Sequence, residues 1–209
     1  MVMGTPDGPL DLRLQLNHNR LWWRVDDEDH VPEHWSASVD LPGRHVADIL
    51  LDIADLSPDR NLLDALTTED PLLLSIAETA LCPTGRLVSG LRELLGLSAE
   101  PVRMIIVRDI NLESAWRGKG LGGALLAATL RTLSRTAQLA VCRPAASGFP
   151  ERPDPLDPFT AELASLRVEL LLESIGFRRW NGLHCINLRD PALLDTRNPF
   201  LTDTPPPWQ

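Results

Sequence analysis

WRGKGLGG, Trp116 to Gly123, is the stretch on which the reading of this chain turns. Four glycines fall within six residues, and Lys119, the only lysine of the chain, stands among them. Glycine lets the backbone take positive φ and lets a ligand approach without a Cβ in the way. Where such a turn opens a helix, several N–H groups point outward and their summed dipole favours phosphate. Arg117 and Lys119 add charge at the rim, and a guanidinium contacts phosphate through two donors. The stretch therefore reads as a pyrophosphate cradle. The plainer alternative is a glycine-rich helix start or close helix–sheet packing.

The flanks give the cradle its setting. VRMIIVRDINL, 102–112, is β-branched and short, and reads as a buried strand. Gly120 to about Thr136 is rich in Leu and Ala and reads as a helix. QLAVCRP, 138–144, is the next strand. Strand–helix–strand implies two parallel strands with a crossover.

Three phosphate patterns compete for the turn. The P-loop pattern G-x-x-x-x-G-K-[ST] fails, because position 113 is Glu and Gly120 follows Lys119. The dinucleotide pattern G-x-G-x-x-G is met by Gly118, Gly120 and Gly123, but ESAW separates it from the strand. The next strand ends in Arg143, which suits a 2′-phosphate, so an NADP-binding oxidoreductase stays open as an alternative. The third pattern, R-x-x-G-x-G after a short polar bend, is met by Arg117, Gly120 and Gly122.

With that pattern, INLESAWRGKGLGGALLAATL resembles the acetyl-CoA-binding motif of the GNAT superfamily of N-acetyltransferases. LLLESIGFRRW resembles the last helix of that family, its Gly-Phe turn and the following strand. The resemblance covers about residues 100–190. It implies an α/β fold with a mixed, mostly antiparallel sheet and a central parallel splay, flanked by helices. It implies acetyl-CoA as cosubstrate and an amine as acceptor. Pantetheine would lie in the splay, beside the backbone groups of Ile110, Asn111 and Leu112. The backbone of Arg117, Gly118, Lys119, Gly120, Leu121 and Gly122 would hold the pyrophosphate.

The chemistry of acetyl transfer needs an amine stripped of its proton and a polarised thioester carbonyl. The family places carboxylate bases on or near the strand before the motif, which makes Asp109 and Glu113 the candidates here. Alternation puts Asp109 on the face of Asn111, opposite Ile110 and Leu112. A solvated carboxylate, or an ion pair with Arg108 or Arg117, is the plainer reading of each. The family often uses a tyrosine on the last helix to protonate the leaving thiolate. The matching position is Leu172, and the chain has no tyrosine. Cys142 or Ser174 could serve, although a buried inert thiol and a surface serine are the plainer readings. Direct transfer without a protein acid stays open, as does a protein that binds acyl-CoA without turnover.

Outside this core the sequence is read by pattern alone. LDLRLQLNHNRLWWRV, 10–25, alternates and reads as two strands about a turn at NHN. WSASVDL, 35–41, reads as a third strand. From His45 to about Leu95 the spacing reads as helical, with Val46, Ile49, Leu50, Ile53 and Leu56 marking one helix. PLLLSIAETAL and GRLVSGLRELLG mark two more. Five prolines between Pro144 and Pro158 make a stiff loop. Phe159–Ile175 reads as a helix stopped by Gly176. FRRW-NG-LHCINL reads as a hairpin on a type I′ turn. Residues 1–190 are taken as one domain, an acceptor-side part over 1–100 and a cosubstrate core over 101–190. Residues 191–209 are a Pro-rich, loosely held tail.

Composition bounds the partners. With 209 residues and 44% apolar side chains, the chain can build a substantial core. Its net charge of −9 argues against nucleic acid. Residues 102–143 hold seven basic and two acidic side chains, so this acidic protein has a basic patch around the cradle, suited to a small polyanion. No apolar run of membrane-spanning length and no secretory pattern is present. Three scattered cysteines, Cys82, Cys142 and Cys185, fit a reducing cytoplasm and spell no metal site. His30 and His34 flank Pro32 in DDEDHVPEH, which reads as an acidic loop rather than a metal centre. Trp22, Trp23 and Trp35 line an acceptor cavity or fill the core. No metal is expected, and a homodimer is left open.

Overall fold

The computed structural model describes residues 11–18, 32–57, 61–65, 70–144 and 158–196. Seven strands form one sheet in the order β1-β2-β3-β4-β5-β7-β6. They are β1 Arg13–His18, β2 Glu33–Leu41, β3 Arg44–Asp55, β4 Arg103–Leu112, β5 Leu139–Cys142, β6 Arg178–Trp180 and β7 Leu183–Asn187. All neighbours are antiparallel except β4 and β5. This is the expected mixed, mostly antiparallel sheet with one central parallel pair.

The helices are α1 Leu62–Ala65, α2 Pro71–Ala80, α3 Ser89–Leu94, α4 Leu121–Leu133, α5 Pro158–Ser174 and α6 Ala192–Asp195. They sort onto the two faces. On one face Leu121, Leu125, Leu126 and Leu130 of α4 and Leu172 of α5 pack with Ile49, Leu51, Ile105, Val107 and Ala140 of the sheet. On the other, Leu62, Leu73, Ile76 and Leu91 of α1 to α3 pack with Met104, Ile106, Leu139 and Val141. Burial of both faces explains why β4 and β5 read as continuous apolar runs.

One expectation is overturned. Arg44–Asp55 is a strand, not the helix inferred from Val46, Ile49, Leu50, Ile53 and Leu56. Its residues Val46, Ala47, Ile49, Leu51 and Ile53 are buried in the core under α4 and α5 and Ala54 in the other, while Asp48 and Leu50 stay partly open. Apolar Leu50 and Ala54 on the second face, and Val46 beside Ala47, blur the alternation of Ala47, Ile49, Leu51 and Ile53, so the apolar positions also fit helical spacing. With β3 in place, 35–41 extends to Glu33–Leu41 and is the second strand of a meander. Asn17 and His18 lie within β1 rather than in a turn. The second strand expected over 21–25 falls outside the described residues.

The chain end also departs from expectation. Leu193 of α6 is buried in the main core, so Ala192–Asp195 is packed there, while residues 197–209 of the expected tail lie outside the described residues. The hairpin agrees: Asn181 and Gly182 have φ of 44° and 80°, both positive as type I′ demands.

Candidate functional site

The site grows from a mismatch in strand length. β5 pairs with β4 only from Met104↔Leu139 to Val107↔Cys142. β4 continues to Leu112 while β5 has ended, so the two parallel strands part. A bulge lies at the parting point. Opposite β3, Leu51 faces Val107 and Leu50 faces Asp109, which leaves Arg108 as the extra residue. The bulge resets the alternation. Ile105 and Val107 face α4 and α5, and so do Ile110 and Leu112 beyond it. Asp109 and Asn111 therefore share the opposite face, as expected.

Beyond Leu112 a single 3₁₀ turn, Ser114–Trp116, leads to the glycines. Gly118 and Gly120 have φ of 75° and 71°, the left-handed region that glycine enters without strain. Gly120 is the N-cap of α4, and no side chain caps it. Among the described residues no backbone oxygen accepts from the N–H groups of Gly118 or Gly120. The first N–H groups of a helix have no intrahelical acceptor either. A set of outward donors thus stands at the mouth of the splay. The next two glycines serve packing. A Cβ on Gly122 would sit 3.2 Å from Leu171, and one on Gly123 3.0 Å from Ile175, so both let α4 lie close to α5.

The basic residues at the rim are positioned locally. Arg117 folds back on β4, its Nε donating to the Leu112 carbonyl at 2.6 Å and its Nη2 to Asn111 Oδ1 at 3.3 Å. The Leu112 carbonyl is therefore already taken by the protein's own guanidinium. Lys119 Nζ donates to the Ala115 carbonyl at 3.0 Å and lies 5.6 Å from the centre of the Trp116 ring. Arg44 approaches that ring too, at 5.9 Å. Glu113 is exposed, with its N–H donating to the Val46 carbonyl. Asp109 is half-buried at the bulge.

The candidates for a thiolate-protonating group fare as follows. Leu172 is fully buried. Cys142 ends β5 beside the splay, but burial pushes its thiol up to about 12, which makes it inert. Ser174 Oγ donates to the Leu171 carbonyl. Trp35 stacks on His18 and donates to Glu33, packed beside the main core. Trp22, Trp23 and His30 lie outside the described residues.

Sequence reading missed a polar cluster on the face opposite α4. Arg108 Nη1 donates to Asp52 Oδ2 at 2.7 Å and to Asp70 Oδ2 at 2.6 Å. Asp52, on β3, is fully buried. Its other oxygen lies 2.5 Å from Nδ1 of His34, on β2. Asp70 caps α2 by accepting from the Leu73 N–H. Burial opposes the charge on Asp70, but that N–H and Arg108 outweigh it and hold the carboxyl below its ordinary value. The one local signal that could have found part of it is Asp70-Pro71, since Asp-Pro before an apolar run marks a helix start. The rest is cross-strand and leaves no local spacing.

Two solved structures resemble this fold. One is an apo-form mutant of agmatine N-acetyltransferase, 14% identical, over 73% of this chain and 74% of that one, with a TM-score of 0.41. The other is a mutant of KacT, 10% identical, over 77% of this chain and 73% of that one, with a TM-score of 0.36. No family model and no curated protein matches the chain.

Proposed function

We propose that this protein is an acetyl-CoA-dependent N-acyltransferase acting by direct attack of an amine on the thioester. The observation that carries the reading is the joining of two features. A strand edge, β4 beyond Val107, is left by its parallel partner, and it runs straight into outward N–H donors at Gly118–Gly120. Such an edge suits strand addition by the amide-bearing pantetheine. The donors, with Arg117 and Lys119, suit the pyrophosphate. Asp109 at the bulge and Glu113 just past the strand end are the carboxylates of the segment that joins this edge to the turn. A second reading, a protein that binds acyl-CoA without turnover, is favoured by Leu172 and the inert Cys142, which leave neither expected position with a ready acid among the described residues.

Thermal unfolding alone, with acetyl-CoA and with NADPH separates the readings. A ligand at about 100 times its Kd adds roughly 2.7 kcal/mol. For a chain of this length that is about 5–10 °C. A shift with acetyl-CoA alone supports the proposal, and a shift with NADPH alone replaces it with the dinucleotide reading. CoA release over an amine panel then separates enzyme from binder. Gly120→Val should weaken acetyl-CoA binding at least about tenfold, since a branched Cβ would stand at the N-cap. Gly96→Val is the control: its φ of 60° imposes comparable backbone strain in open space away from the splay. Equal affinity loss in both would mean strain rather than a lost cradle.

A further inference from the structure

His34, Asp52 and Ile106 are cross-strand partners in one row over β2, β3 and β4. The row ends one residue before Val107, the last β4 residue paired with β5. It lies on the face opposite α4 and α5. On that face β2 and β3 also carry Ser36, Ser38 and Asp48, none fully buried, and Leu50, which is exposed. Helices α1 to α3 cover β4, β5 and β7 there. Among the described residues, the surface beside His34 is thus accessible and polar, two strands from the β4 edge at which the splay opens.

The pair itself has the chemistry of an oriented base. Where the neutral imidazole donates its Nδ1–H across this 2.5 Å contact, the carboxylate accepts. Nε2 is then left with its lone pair. The His34 side chain is 64% exposed, whereas the Asp52 carboxylate is fully buried, so the ring is anchored at one edge and open at the other. The second Asp52 oxygen is fixed by Arg108, the bulge residue at the mouth of the splay. Imidazole and bulge are therefore one carboxylate apart.

We propose that His34, oriented by Asp52, takes the proton from the acceptor amine; this rests on the acetyl-transfer reading above. The acceptor arrives as an ammonium and gives one proton to Nε2. Its nitrogen lone pair forms the C–N bond, and the C–S bond breaks. The second proton lost from nitrogen goes to the departing thiolate, and the imidazolium releases its proton to solvent. Asp52 and Arg108 are positioning residues, since neither touches the amine.

The test uses the full chain, acetyl-CoA and four probe amines: propylamine, spermidine, lysine amide and glucosamine. Acetyl-CoA affinity is read by calorimetry and turnover by CoA release. His34→Gln should bind acetyl-CoA as wild type does and lose about 100-fold or more in kcat. Turnover of His34→Ala should rise again with added imidazole, which a structural role for the ring would not produce. Asp52→Asn should also lose kcat by disturbing the tautomer; because Asp52 is buried, the two variants of exposed His34 carry the decision. Unchanged turnover in His34→Gln overturns the assignment, as does a loss that imidazole does not restore. Wild type that binds acetyl-CoA yet turns over none of the amines also overturns it, leaving the cradle intact. Wild type that does not bind acetyl-CoA overturns the acetyl-transfer reading and this inference with it.

Discussion

Arg108 does more than its half-buried position suggests. It is the extra residue of the bulge, and its guanidinium joins the buried Asp52 to the cap of α2. Desolvation works against its charge, but hydrogen bonds and the charges of Asp52 and Asp70 prevail and raise its pKa further. Removing it leaves a fully buried carboxylate with His34 alone. Arg108→Ala should therefore lower unfolding stability by on the order of 2 kcal/mol, the cost of an uncompensated buried polar group. Arg108→Ala/Asp52→Ala should recover part of that, because the stranded charge is gone. Denaturant melts of the three variants check this, and additive losses would show that the two side chains are not coupled. The strand around Arg108 was legible from its β-branched run, but the bulge was not. Counted from Val107, strict alternation sends Asp109 into the core; only the pairing with β3 shows the reset.

At the scale of elements, the legible ones carry backbone chemistry in their own sequence. Asn181-Gly182 needs positive φ at two successive residues, Pro71 follows a capping aspartate, and Gly118 and Gly120 open α4. β3 carried no such mark, since apolar Leu50 and Ala54 on its second face blurred the alternation. Packing at α3 is equally hidden. Gly90 lies in that helix, where alanine would ordinarily help by about 1 kcal/mol. Here a Cβ would stand 2.5 Å from the Trp180 ring of β6. The contact should reverse the sign, so Gly90→Ala is expected to destabilise by about 1–3 kcal/mol. Adding Trp180→Phe shrinks the ring and should return part of the loss. A stabilised Gly90→Ala single variant would mean that the indole can move aside freely.

At the scale of the whole molecule, helices cover β4 and β5 on both faces while the sheet opens between these two strands. Both cores reach this point: Val107 belongs to one and Ile106 to the other. The pairing accounts for a difference in protection along a single strand. Met104–Val107 has partners on both edges, whereas residues 109–112 pair only toward β3 and the bulge residue Arg108 has no register partner. In the free protein the amides of 108–112 that face the splay should exchange with solvent faster than those of 104–107. If pantetheine adds to β4 as a strand, acetyl-CoA should slow exchange in 108–112 and at Gly118–Gly122 together, and leave 104–107 unchanged. Hydrogen exchange with and without acetyl-CoA reads this directly. Slowing at 118–122 alone would mean that the turn holds the pyrophosphate while the thioester lies away from β4. The amine would then meet it elsewhere than at the bulge, and the link from Arg108 through Asp52 to His34 would be structural.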